Sequence, residues 1–204
     1  MYLLSTLPYT EPVEFTITVE KIKYGYMSLH LNVDGVEFRY APSELCDPLN
    51  DLLIIAALIL DGCSLTVDGK VEKKAEHTPI YEYVFHDLEG YYVIWLLKYF
   101  MGELTIIIWD FDVSDVDTLE TLADNDFNSN ALEIRILDKL PDFHEYLKFA
   151  LKCKPALLAN ALVGAVEGLK NLANYNSSNW GFSYSESHFD KLKQWLALTE
   201  ENQR

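Results

Sequence analysis

From Val13 to Tyr40 the chain alternates apolar and polar residues almost one for one. Val13, Phe15, Ile17 and Val19 alternate with Glu14, Thr16, Thr18 and Glu20, and Met27, Leu29, Leu31 and Val33 with Ser28, His30 and Asn32. A period of two puts each set on one side of a pleated strand, so the pattern predicts half-buried strands with one wet face. Between Val33 and Val36 stands Asp34-Gly35, a pair that tolerates the positive φ of a tight primed turn, and the second and third strands are expected to pair directly. The pattern then changes. In "SELCDPLNDLLIIAALILDG" Asp47 is placed to cap a helix, Pro48 to begin it, and Gly62 after Asp61 to end it. Apolar residues occupy nearly the whole circumference, as in a helix packed across a sheet and covered on its other side. "PIYEYVFHDLEGYYVIWLLKYFMGELTIIIWDF" predicts three more strands with turns at Asp87 to Gly90 and at Met101-Gly102. The middle one, Tyr91 to Tyr99, is apolar nearly throughout and is therefore expected to be central. "SDVDTLETLA" reads as a helix with acids at its start, and "ALEIRILDKL" as a further strand.

From Pro141 the spacing becomes helical. Phe143, Tyr146, Leu147 and Ala150 share one face of a first helix. Leu158, Ala161, Leu162, Ala165, Val166 and Leu169 mark a second that starts near Pro155, with Gly164 and Gly168 spaced to let a neighbour come close. A last helix carries Phe189, Leu192, Trp195 and Leu196, after a polar loop that holds Trp180, Phe182 and Tyr184. The expected fold is α+β: an antiparallel sheet meander with one internal helix and a helical C-terminal part, in a single domain 1–204, sheet-rich over 1–140 and helical over 141–204. With 204 residues and 50% hydrophobic composition the chain is large enough for one well-packed core.

Charge adds the most informative compositional fact. The net charge is −16, yet residues 1–141 hold 25 acids and 9 bases whereas residues 142–204 hold 7 of each, so the entire excess lies in the first two thirds. Between Lys98 and Arg135 there are nine acids (Glu103, Asp110, Asp112, Asp115, Asp117, Glu120, Asp124, Asp126, Glu133) and no base. Such a field repels nucleic acid and anionic membrane and attracts cationic surfaces. The most apolar run, Leu52 to Leu60, is nine residues, about half of the roughly 20 a membrane-spanning helix needs. "MYLLSTLPYT" has no basic region ahead of an apolar one, and Cys46, Cys63 and Cys153 are an odd, scattered set, so reduced thiols and a cytoplasmic location are expected.

Candidate chemistry centres on "IIIWDFDVSD". An apolar strand ending in Asp-x-Asp resembles the first motif of the haloacid dehalogenase-like hydrolases, which would make Asp110 the nucleophile and Asp112 the general acid/base, with a magnesium ion between carboxylates. The fourth and fifth positions are Val113 and Ser114 rather than Gly and Thr, the motif follows hairpins rather than opening a parallel sheet, and no later paired-Asp signature follows to hold the metal. A calcium loop counted from Asp110 has Asp115 where a Gly is required and Thr121 where a Glu is required. The five histidines form no H-E-x-x-H, and no cysteine pair has zinc spacing. Ser187, His188 and Asp190 have triad residue types but are adjacent at a helix start, where capping is the better account. His30, Glu37 and Arg39 share a polar strand face that forms either a groove lining or a solvent-facing hairpin. No cofactor, metal or catalytic residue is expected.

An acidic chain of this size, with one base-free Asp-rich segment and no catalytic motif, is similar in type to the immunity proteins with which bacteria neutralise secreted toxins. The resemblance implies a stoichiometric inhibitor of a basic protein partner, with Asp110, Asp112, Asp115, Asp117, Glu120, Asp124 and Asp126 steering the partner and Trp180, Phe182 and Tyr184 anchoring it. The alternatives are a small enzyme or ligand-binding protein with a site in a sheet-helix groove, and a subunit of a larger assembly with the C-terminal helices as its interface. The oligomeric state stays open.

Overall fold

The computed structural model describes residues 7–23, 26–42, 47–66, 69–87, 92–111, 146–172 and 184–201. Within them the chain forms β1 (Phe15–Lys23), β2 (Tyr26–Val33), β3 (Val36–Tyr40), α1 (Pro48–Leu60), β4 (Cys63–Leu65), β5 (Val71–Lys73), β6 (Ile80–Asp87), β7 (Tyr92–Phe100), β8 (Glu103–Phe111), β9 (Leu147–Cys153), α2 (Pro155–Lys170) and α3 (Glu186–Glu201). The α+β class is as the sequence predicts. The strands divide into an antiparallel β1-β2-β3 sheet, a β4-β5 ribbon that the alternation did not mark, and an antiparallel sheet in the order β6-β7-β8-β9.

Alternation decides which face of the smaller sheet is buried. Phe15, Ile17, Val19, Leu29, Leu31, Val33 and Tyr40 join one core with Val84, Val93, Trp95, Leu97, Leu104, Ile106 and Ile108 of the larger sheet. The two sheets meet face to face, Phe15 against Trp95 at 6.5 Å between ring centroids and Phe38 edge-on to Phe149 at 6.4 Å. The expected turn at Asp34-Gly35 is present, with φ of 48° and 87° and Val33 opposite Val36. Met101-Gly102 makes the same kind of turn, at 50° and 81°, between β7 and β8. β7 is central. Its residues are buried on both faces, Val93, Trp95 and Leu97 on one side and Ile94 and Leu96 on the other, which explains its unbroken apolar run.

α1 begins as its caps require, with Asp47 accepting the Asn50 backbone N–H at 3.3 Å and Pro48 in the first turn, and Gly62 follows its end with φ 70°. Leu49, Leu52, Leu53, Ala56 and Ile59 are almost fully buried; each buried leucine or isoleucine contributes about 1.5–3 kcal/mol of apolar burial. α1 packs on β4, β6, α2 and α3, and α2 lies along β1.

Three expectations need correction. Leu147 to Cys153 is a strand, not the end of a helix: Leu104 to Trp109 of β8 offers an open row of backbone groups, and β9 pairs with it from Cys153 to Leu147. The far edge of β9 is bonded in turn, since Thr10 N donates to Ala150 O and Lys152 N donates to Thr10 O, each at 2.9 Å. Val13 is not a buried strand residue but 89% exposed, because the strand starts only at Phe15. Gly164 and Gly168 admit no close neighbour, for both are exposed and a Cβ on either would meet nothing within 4 Å among the described residues. "SDVDTLETLA", "ALEIRILDKL", Phe143 at the start of the expected helix and the turn after Asp87 lie outside the described residues.

Candidate functional site

Of the residues singled out from sequence for partner binding, Asp110 and Tyr184 lie among the described residues; Asp112, Asp115, Asp117, Glu120, Asp124, Asp126, Trp180 and Phe182 do not. Asp110 stands at the end of β8, one residue past the fully buried run Leu104 to Trp109, and its side chain is 28% exposed. The Lys148 ammonium approaches its Oδ2 at 3.2 Å. Lys148 reaches that point because the β8-β9 register slips between Ile108 and Trp109, leaving Lys148 without an opposite residue, and the cation also lies 5.7 Å from the Phe38 ring centroid. The base-free acidic segment thus leaves the core at Asp110, beside the Lys148 cation. A half-exposed pair of this kind contributes about 0–1 kcal/mol to stability.

Tyr184 is half-buried, edge-on to Phe189 at 5.6 Å, with Lys170 Nζ 5.1 Å from its ring centroid. Its ring is engaged with α2 and α3. Ser185 next to it opens α3: its carbonyl accepts the N–H groups of His188 and Phe189, its own N–H donates to Asn50 Oδ1 of α1 at 2.7 Å, and its hydroxyl meets His188 Nδ1 at 2.7 Å. The helix-capping reading of this segment stands, centred on Ser185 rather than Ser187.

The wet face of β1-β2-β3 brings together the group noted around His30. His30 Nδ1 is 3.3 Å from Glu20 Oε1 and Nε2 is 3.8 Å from Glu37 Oε2, while Arg39 Nε bonds Glu20 at 3.2 Å and Nη1 bonds Glu37 at 2.9 Å. Hydrogen bonding to Glu20, set against some desolvation and aided by Glu37, raises the Arg39 pKa further. The register shifts between Val19 and Lys21, so Glu20, which alternation places on the polar face of β1, is, like Lys148, the extra residue of a bulge. Simple alternation marks Glu20 as polar-facing but marks neither bulge.

A third feature is concave. A cleft of about 560 Å³ lies between the end of α1 (Leu60, Asp61, Gly62), the segment from Lys73 to Ile80, and the Met101-Gly102 turn with Tyr99 and Phe100. Lys73 Nζ bonds the Asp61 carbonyl across Gly62, so this lysine closes the carbonyl end of α1. Met101 is 73% exposed at the rim. Nearby, the Glu82 carboxylate is buried and accepts the Leu65 N–H at 2.7 Å; burial, only partly offset by that bond and by Lys74, pushes its pKa up to about 7. Among the described residues no three His, Cys, Asp or Glu side chains are grouped to hold a metal ion, and no helix is long and apolar enough to cross a membrane.

Compared with protein-family models, with curated proteins and with solved structures, the chain matches none.

Proposed function

We propose that this chain is a stoichiometric binding protein for a basic protein partner, acting in the manner of an immunity protein that blocks a toxin domain. The observation that carries the proposal is the run of nine acids without a base between Lys98 and Arg135. Asp110, where that run leaves the buried part of β8, has Lys148 beside it as its cation. Acids gathered on one segment steer a cationic partner and raise the encounter rate, and the aromatic residues Trp180 and Phe182 supply apolar anchors once contact is made. The test is co-expression with a basic toxin domain encoded beside this chain. Rescue of growth together with a one-to-one complex on gel filtration supports the reading; unchanged toxicity with no complex refutes it.

A second reading, a ligand site in a sheet-helix groove, is favoured by the cleft between the end of α1 and the β7-β8 turn. Its apolar wall from Leu60, Ile80, Tyr99 and Phe100 suits the body of a small molecule, and Lys73 and Thr78 are polar groups on its lining. Saturable binding of a small molecule that Met101→Asp abolishes would move the assignment there.

A further inference from the structure

Tyr40 of β3 stands between the two sheets, and two neighbouring strands of the larger sheet hold its hydroxyl. Trp95 Nε1 of β7 lies 3.2 Å from Tyr40 Oη, and His86 Nδ1 of β6 lies 3.0 Å from it. An indole N–H only donates, so the Tyr40 oxygen accepts there, and in the tautomer that leaves His86 Nδ1 an acceptor the Tyr40 proton is directed to it. His86 is then the neutral tautomer with its proton on Nε2. That atom is buried and has no hydrogen-bond partner among the described residues, in a side chain of zero exposure whose ring stacks on Tyr40 at 5.6 Å and 19°.

We propose that the Trp95–Tyr40–His86 contact is an acid-releasable latch between the two sheets. A second proton on His86 lands on Nδ1, where the Tyr40 hydroxyl already points its own. The two donors then oppose each other, Tyr40 gives up the bond, and a cation is left in an apolar interior. Among the described residues, the groups that face the imidazole do not compensate it. β3 contributes Tyr40 and β7 contributes Trp95 and Val93. On β8 the carboxylate in the same cross-strand row is Asp110, two strand spacings away (about 10 Å) and already paired with Lys148 of β9; on β6 itself Glu82 is four residues distant and bonded to Leu65. Burial accordingly pushes the His86 pKa down to about 3 from 6.5. For a base with a lowered folded-state pKa, the neutral form is the folded form: the contribution is complete above pH 6.5 and is lost as pH falls toward 3. Between pH 7 and pH 5 the folding equilibrium constant therefore drops about 25-fold through this residue alone.

Two measurements test the latch. Urea unfolding of wild type and His86→Leu from pH 7.5 to 4.5 should show the wild type losing this factor of about 25 relative to the variant between pH 7 and pH 5; parallel pH profiles overturn the proposal. Should His86→Leu fail to fold, the imidazole ¹⁵N signals of the wild type decide it. A neutral Nε2–H tautomer persisting below pH 5 in the folded protein supports the latch, and an imidazolium forming near pH 6.5 without loss of near-ultraviolet circular dichroism overturns it.

Discussion

Asp34 Oδ1 accepts the backbone N–H of Glu14 at 2.8 Å, from a residue that itself sits in the left-handed region with φ 48°. The same carboxylate takes the Val13 N–H at 3.1 Å, and Asp34 N returns a bond to Glu14 O. One turn residue therefore shapes the β2-β3 hairpin and fastens the lead-in to β1. Asp34→Ala removes the acceptor and puts an ordinary side chain at positive φ, and should cost about 2 kcal/mol of unfolding free energy. Asp34→Asn, which tolerates that φ and keeps one acceptor, should cost under about 1 kcal/mol. Urea denaturation of both measures this; an Ala variant within about 0.5 kcal/mol of wild type, the range of an ordinary surface change, would show that the fastening is idle.

Glu82 gives the protein a pH dependence opposite in sign to that of His86. Its folded-state pKa is raised to about 7 from 4.5, so between these values the unfolded chain has lost the proton that the folded chain keeps. Stability through this residue is complete below pH 4.5 and falls as pH rises through 7. Glu82→Gln retains an acceptor for the Leu65 N–H without the charge. It should flatten that decline by about 1–3 kcal/mol between pH 5 and pH 8. Part of the slope should survive in the variant, because burial also raises Asp47, to about 6. An unaltered slope in thermal or urea melts would remove Glu82 from the account.

Gly164 and Gly168 stand on the exposed side of α2 with open space where a Cβ would go. Replacing each by alanine should stabilise the helix by about 0.5–1 kcal/mol, since glycine is costly in a helix interior. A drop in melting temperature for either variant would mean that something packs closely there after all.

Local rules made much of the fold legible. Asp34-Gly35 and Met101-Gly102 announced their turns, Asp47, Pro48 and Gly62 announced α1, and the unbroken apolar run of β7 announced a strand buried on both faces. β9 was not legible, for a physical reason. Leu147, Phe149, Leu151 and Cys153 do alternate with Lys148 and Lys152, but Ala150 breaks the alternation and, with Tyr146 and Leu147, fits a helical period equally well. The open edge of β8 decided between them, and that edge is some forty residues away in sequence. The candidate sites were legible only as residue types. His30, Glu37, Arg39 and Glu20 could be placed on polar strand faces, whereas the bulges that set Glu20 and Lys148 beside their partners could not be read, and Tyr40, His86 and Trp95 meet across sequence separations of 46 and 55.

The central claim is that the acids following β8 steer a basic partner. The most direct measurement is the association rate between this chain and the basic domain proposed as its partner, for wild type and for Asp115→Lys, Asp117→Lys, Glu120→Lys combined, across a salt series. The account predicts association about tenfold or more slower for the variant at low salt, a gap that closes as salt screens the field over roughly 8 Å at physiological strength, and a melting temperature nearly unchanged. Equal association rates at low salt, with both proteins folded, would contradict it.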